Sequence, residues 1–191
     1  MEITYHYKSW KGLKKQLENF LCDSLRERIT YQLARYHKVH NSYGKASICL
    51  DRKELAAFSW NELYEQDAAF DVKWREIQEE QQYENVISMI NALSDTEIEE
   101  LDDSIEQDLR KQWNESGTLN DTDFLDAAVR FCNRPIAESL VSEEYLLKVF
   151  AIMDKRLGKR TLSKMKSEGA YLSYPAWVKQ FYELRFEVSG I

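Results

Sequence analysis

Apolar and polar positions change their period along the chain, and the change marks two kinds of structure. Over residues 10–24 the apolar side chains recur every three or four positions, with lysines between them, so we predict an amphipathic helix that Ser9 caps. Apolar and polar residues then alternate over residues 29–34 and 46–50, as in half-buried strands. A tight polar turn leads into a third short run at residues 54–58, which completes a predicted three-stranded antiparallel meander.

From Trp60 onward the strand pattern is absent and the helical period takes over. One kinked helix, or two, are expected as far as residue 93, with any break near residues 80–85. Ser94-Asp95-Thr96-Glu97 has the spacing of a capping box, with Ser followed three places later by Glu. It predicts the start of a helix that ends at Gly117.

The second half of the chain repeats these helix signals. Asn120 or Asp121 caps one predicted helix, and Ser142 caps another whose residues are apolar on nearly all sides. Gly158 is placed to end that apolar helix in a left-handed conformation. Ser173-Tyr174-Pro175 starts the last helix.

The order of these elements predicts an α+β protein, in which an N-terminal helix and a three-stranded antiparallel meander precede a mainly helical remainder. A chain of 191 residues is long enough to bury a self-sufficient apolar core. We therefore expect a single domain over residues 1–191, with a helix and meander subregion at 1–59 and a helical subregion at 60–191.

Cysteine usage and hydropathy predict a cytoplasmic protein. Cys22, Cys49 and Cys132 are odd in number and far apart, which is typical of reduced, buried thiols rather than of disulfides or a zinc site. The N-terminus has an early acid and no apolar signal segment, and no later stretch approaches the ~20 apolar residues that span a bilayer. We expect neither secretion nor a membrane partner.

The net charge of -7 argues against a general nucleic-acid binder, because affinity for phosphate backbones comes mainly from clustered Lys and Arg. The predicted helix after Ser94 is strongly acidic, and such a face suits a basic protein partner, as in an acidic inhibitor of a nucleic-acid-cleaving enzyme. The alternative is a solvated surface that keeps the protein soluble. The candidate residues of this face are Glu99, Asp102, Asp103 and Glu106.

A dense basic cluster over residues 155–166 is the second candidate surface. It could bind phosphate, a nucleic-acid backbone or an acidic partner. Alternatively, its cations complement a helix C-terminus and pair with carboxylates, either those between Asp95 and Asp108 or Asp154, which could orient Arg156 or Arg160. The candidate anion-binding residues are Arg156, Lys159, Arg160 and Lys164.

No catalytic constellation is complete in the sequence. His37 and His40 have a spacing that can bind a metal, but no third ligand motif accompanies them, and His6 stands apart. No serine has a Gly-x-Ser-x-Gly elbow, and no cysteine has assignable catalytic partners. We predict no metal, no cofactor and no catalytic residue, which favours a non-enzymatic protein while leaving an undetected site open.

Both ends of the chain carry recognisable stretches, whereas residues 60–120 match only in helical character. The stretches are Ser9-Trp10 with Leu13-Lys14-Lys15, Ile48 to Glu54, Phe150 to Leu162, and Phe181 to Arg185 with Gly190-Ile191. On these stretches the chain resembles a family of small uncharacterised bacterial cytoplasmic proteins that share an Asp-Lys/Arg-Arg-x-Gly-Lys-Arg-Thr-Leu signature. The chain has Lys155 where members tend to have arginine, and Arg52 where the hairpin turn usually carries glycine. The resemblance implies bacterial origin and supports the fold, and it transfers no catalytic residue.

Together these features favour a protein-binding module, with an immunity or antitoxin-like role as one form and an unidentified protein as partner. The alternative is an anion-binding or nucleic-acid-associated module that uses the basic cluster at 155–166. The sequence leaves the oligomeric state open.

Overall fold

The computed structural model of the protein describes residues 9–36 and 43–191. The chain divides into two compact units. The sheet unit combines Met1–Trp60 with Leu119–Ile191, and the helical unit is Asn61–Thr118. The α+β fold class is confirmed, with the sheet confined to the N-terminal part and helices after it. The single domain over residues 1–191 stays a prediction.

The first helix is shorter than its apolar pattern predicts. Ser9 caps α1 (Trp10–Phe20) with its side chain, as expected. The helix ends four residues before the predicted end at residue 24, because Leu21 forms an antiparallel β-bridge with Asp154 from far along the chain. A separate short helix, α2 (Asp23–Arg26), follows.

The predicted meander is confirmed. Strands β1 (Ile29–Tyr36), β2 (Tyr43–Leu50) and β3 (Lys53–Ser59) pair in the antiparallel order β1-β2-β3. Asp51 and Arg52 form the turn between β2 and β3, with φ of 49° and 69°. Two consecutive positive φ angles are characteristic of a two-residue turn whose twist matches that of the strands, so Arg52 adopts a conformation usually taken by glycine.

The helical unit contains the elements that local sequence signals predict. It is built from α3 (Trp60–Glu80, which starts one residue before the unit), α4 (Val86–Ala92) and α5 (Asp95–Ser116), with the break at the expected place. Ser94 caps α5 in a capping box, and Gly117 ends the helix with a φ of 81°. Both predicted ends of α5 are therefore confirmed.

The C-terminal part of the sheet unit is helical among the described residues. A short 3₁₀ turn at Ala170–Ser173 separates the last two α-helices. The helices are α6 (Asp121–Cys132), α7 (Ile136–Val141), α8 (Tyr145–Ile152), α9 (Lys159–Glu168) and α10 (Ala176–Val188).

Two predicted helix boundaries in this part are wrong. Ser142 lies at the C-terminal end of α7 and not at the start of α8, where Glu144 is the flanking residue, because the chain turns between the two helices. Gly158 does not end the apolar helix in a left-handed conformation. That helix ends earlier, and Gly158, with φ -75° and ψ 160°, begins α9 instead. Gly169 is left-handed at the end of α9, with a φ of 69°.

The core of the sheet unit lies between one face of the sheet and helices α6 and α8. Tyr31 and Phe58 from the sheet are 1% exposed, and Phe124 and Phe150 from the helices are 0% and 2% exposed. The ring centroids of Phe58 and Phe124 are 5.4 Å apart, and those of Phe124 and Phe150 are 5.6 Å apart. Aromatic packing at such distances adds to the stability gained by burial. Within the described ranges, no helix has the length and apolar character needed to cross a membrane.

Candidate functional site

Charge is distributed very unevenly between the two units. The helical unit has 17 Asp and Glu but only four Lys and Arg, whereas the rest of the chain has 16 acidic and 22 basic residues. The formal charge is therefore -13 for the helical unit and +6 for the remainder. The net charge of the whole chain does not reveal this separation of charge. It can be calculated only when the boundaries of the two units are known.

An open groove lies between the three helices of the helical unit. Its volume is about 470 Å³. Residues four apart on α3 and on α4 face it, since such residues lie on the same side of a helix. The apolar lining residues are Phe70, Trp74, Val86, Ile90 and Ile98.

The floor of the groove is fixed by a hydrogen bond between α3 and α5. The indole Nε1 of Trp74 donates to Oδ1 of Asp102 at 2.9 Å, and Trp74 is only 8% exposed. Beneath it, Met89, Ile105 and Leu109 are at most 3% exposed. Asp102, a candidate of the acidic face, therefore holds two helices together beside the groove.

The four predicted acidic-face residues lie along one stripe of α5, because they are three, four and seven positions apart. Glu99 and Asp103 are exposed. Glu106 pairs with Arg110, with 2.6 Å between Oε1 and Nη2. Asp102 lines the groove, and Glu99 and Asp103 are the exposed members of the stripe outside that lining.

Two further features of the groove were missed by sequence reasoning. Its charged lining residues are Asp71, Arg75 and Asp102, so one cation stands among the acids. On α4, Ile90 is 39% exposed and Ile87, one turn away, is 71% exposed. The sequence does contain a signal for this exposed apolar surface. Val86, Ile87 and Ile90 cluster on a seven-residue helix, and together they form an apolar sector broader than a single buried helix face.

The basic cluster is divided between structural and surface roles. Arg156 donates from Nε and Nη2 to Oδ2 of Asp154 at 2.9 and 2.5 Å, and Asp154 is 1% exposed. The guanidinium carbon of Arg156 also lies 4.4 Å from the ring centroid of Phe20. These contacts agree with the alternative in which Asp154 orients Arg156.

The other candidates of the basic cluster lie on α9. Lys164 is near Glu168, with 3.5 Å between Nζ and Oε1, and both side chains are exposed. Lys159 and Arg160 occupy the first turn of α9 and are exposed, without an ion pair in the part of the chain that the structure describes. The four predicted anion-binding residues therefore have three different environments.

Arg185 was not predicted as a site residue, although it fixes the segment that carries the basic cluster. It is 6% exposed and donates from Nε to the carbonyl oxygen of Ile152 and from Nη2 to that of Leu157, both at 3.1 Å. Ile152 is the last residue of α8, and a cation at this end of a helix suits the helix dipole. The segment from Ile152 to Leu157 is thus held by a buried arginine and by the Arg156 pair.

Histidines and cysteines are the side chains that the sequence suggests as metal ligands or nucleophiles, and three of them fall in the described part of the chain. No group of three or more potential metal ligands occurs among its residues. His6, His37 and His40 lie outside the described residues. The three cysteines are free thiols, and burial raises the pKa of the Cys132 thiol to about 11, which keeps it protonated at neutral pH.

Comparison with known proteins places the chain in a family. Neither a curated protein nor a solved structure matches it. A family model matches residues 9–186, which is most of the chain and includes both units. The chain therefore belongs to the SF0329 protein family, an uncharacterised family.

Proposed function

We propose that the protein is a non-enzymatic module that binds a basic protein through its helical unit. The observation that carries this proposal is the concentration of 17 acidic and only four basic residues in Asn61–Thr118, where an open apolar groove lies. A solvated acidic surface alone would need no such groove. A partner that combines cationic and apolar contacts would use both features.

The electrostatic field of the helical unit supports fast and selective recognition. A patch dominated by one sign of charge steers an oppositely charged partner towards it and repels partners of the same sign. Glu99 and Asp103 are exposed and contribute to this field without forming a described ion pair. Binding by this surface is expected to weaken as salt screens the charges.

An immunity or antitoxin-like role is the form of this function that the charge favours. A nucleic-acid-cleaving enzyme binds phosphates with cationic side chains, and a protein with dense carboxylates can occupy the same cations. Bacterial origin and a cytoplasmic location belong to this proposal. The Asp154 to Leu162 signature supports the first, and the free thiols of the three cysteines support the second.

The experiment is a charge reversal that spares the structure. Glu99→Lys combined with Asp103→Lys changes exposed residues and keeps Asp102, whose hydrogen bond to Trp74 is structural. The matched control is Glu138→Lys with Glu183→Lys, which makes the same change in charge at exposed positions of the sheet unit.

A partner is first identified by cross-linking in native cells, and its affinity is then measured with purified proteins by calorimetry. We expect the α5 variant to bind at least tenfold more weakly and the control to bind as the wild type. Equal affinities for both variants would show that the acidic stripe is not the binding surface.

The alternative function is an anion-binding or nucleic-acid-associated module. Lys159 and Arg160 lie in the first turn of α9, which has no acidic residue, so cations and backbone N–H groups meet at one helix end. This arrangement favours a phosphate-bearing ligand. The test is titration with a short single-stranded DNA at low salt, where Lys159→Glu with Arg160→Glu should abolish binding that Lys11→Glu with Lys15→Glu leaves intact.

A further inference from the structure

We infer that the groove of the helical unit receives an amphipathic helix of the partner protein, with apolar residues on one face and Lys or Arg beside them. This inference rests on the proposed function and specifies the shape and chemistry of what binds. It concerns the surface formed by α3, α4 and α5 and needs no contribution from the sheet unit.

The size and lining of the groove match the apolar face of a helix. A volume of about 470 Å³ accommodates several apolar side chains. Helices that bind in grooves insert residues at positions i, i+3 or i+4, and i+7. The apolar lining comes from all three helices, including Phe70 on α3, Val86 on α4 and Ile98 on α5, so it offers successive contacts to such anchors rather than one enclosed pocket.

The exposed residues at the mouth of the groove favour a protein partner over a small molecule. Asp71, Arg75 and Ile90 all line the groove and are exposed, so a small ligand would remain largely in contact with water. Ile87 extends the apolar surface beyond the groove and is 71% exposed. An occupant that covers Ile87 as well as Ile90 has to extend beyond the residues that line the groove.

Charge complementarity determines the chemistry of that occupant. Asp71 and Asp102 line the groove. Further negative charge lies on α5, where Glu99 and Asp103 belong to the same acidic stripe as Asp102. Cations beside the apolar anchors would meet these carboxylates, whereas an acidic or neutral helix would leave them uncompensated. Arg75 is the one described cation of the lining, and it opposes a basic partner.

A second copy of the chain does not supply such a helix among the described residues. The basic helix α1 directs Leu13 and Leu17 into its own core, where they are 4% and 1% exposed. In α9, Leu162 is 1% exposed. These helices can offer charge to a neighbouring copy, but their apolar faces are already occupied.

The test uses two synthetic 14-residue peptides that form amphipathic helices, one made of Leu and Lys and one in which Gln replaces every Lys. Binding of each labelled peptide to the full-length protein is followed by fluorescence anisotropy. The groove variant is Ile90→Ser, and its matched control is Val72→Ser, at a 48% exposed apolar position of the same unit that does not line the groove. Circular dichroism confirms that each variant is folded.

We expect the Leu/Lys peptide to bind the wild type, with an affinity at least tenfold lower for Ile90→Ser and unchanged for Val72→Ser. Arg75→Glu should raise the affinity several-fold, because it removes the opposing cation. The Leu/Gln peptide should bind at least tenfold more weakly than the Leu/Lys peptide.

The outcomes separate this inference from the proposed function. If Glu99→Lys with Asp103→Lys weakens binding while Ile90→Ser and Val72→Ser both bind as the wild type, the acidic surface remains and the groove inference is wrong. Equal binding of the two peptides would overturn the basic character assigned to the helix. No binding of the Leu/Lys peptide to the wild type at millimolar concentration would overturn the inference as a whole.

Discussion

Arg156 covers a buried carboxylate, because its guanidinium bonds to Asp154 on one side and lies over the ring of Phe20 on the other. The backbone N–H of Arg156 also donates to Oδ1 of Asp154 at 2.7 Å. Asp154 in turn belongs to the segment that bridges to Leu21. The most conspicuous arginine of the basic cluster therefore joins distant parts of the sheet unit.

Arg156→Ala should destabilise the protein without removing a ligand site. The substitution leaves the Asp154 carboxylate buried without its cation, and we expect a loss of about 2 kcal/mol in the free energy of unfolding, since the arginine side chain is partly exposed. Urea denaturation measures the change. Arg156→Lys should lose part of this stability because it cannot make the two-pronged contact. Wild-type stability in Arg156→Ala would contradict a structural role.

Gly158 should accept a side chain, because its φ of -75° lies in the ordinary range and nothing lies within 4 Å of an added Cβ. Gly158→Ser places a capping hydroxyl at the start of α9 and should stabilise the protein by about 0.5 kcal/mol. Gly169→Ala, at a φ of 69°, should destabilise it by about 1 kcal/mol. Thermal unfolding of both variants provides the measurement. Destabilisation by Gly158→Ser would indicate the left-handed helix end that the sequence predicts.

Protonation of Glu97 should make the helical unit less stable in acid. The backbone N–H and hydroxyl of Ser94 hold the pKa of the Glu97 carboxyl below its ordinary value. A depressed folded-state pKa contributes stability that is present above the unfolded pKa of about 4.3, and that is lost as the pH falls through the folded pKa. Urea midpoints of wild type and Glu97→Gln should therefore differ at pH 7 and converge as the pH falls below the folded-state pKa of Glu97. A difference that persists in acid would exclude the ionised capping box as its source.

Cys132 should react slowly with thiol reagents. With its pKa raised to about 11 by burial, the thiol provides roughly two orders of magnitude less thiolate at pH 8 than an ordinary cysteine. Iodoacetamide labelling followed by peptide mass spectrometry measures the rate at this residue, with urea-unfolded protein as the control. Rapid labelling in the folded state would contradict the burial of the thiol.

Local signals were sufficient to predict several elements of the fold. Ser94, Glu97 and Gly117 lie next to the helix ends that they define, so both ends of α5 could be predicted without tertiary contacts. The end of α1 could not, because Phe20 accepts a hydrogen bond from the backbone N–H of Lys155. Only the folded chain brings these two residues together.

The candidate site was predictable in composition but not in arrangement. The spacing of Glu99 and Asp103 placed both on one stripe of α5, as the structure shows. The groove depends on how α3, α4 and α5 pack, and its Trp74–Asp102 hydrogen bond joins residues on two of these helices. Sequence periodicity reports which side of a helix is apolar, but it does not report which apolar residues remain uncovered.

The interruption of the sheet unit by the helical unit has a consequence for synthesis on the ribosome. Phe58 at the end of the sheet and Phe124, its stacking partner, are separated by the whole of Asn61–Thr118. At about 5–20 residues per second, roughly 3–13 seconds pass between the translation of these two phenylalanines. A nascent meander has its apolar face uncovered during this interval, so newly made chains are most exposed to aggregation before α6 emerges.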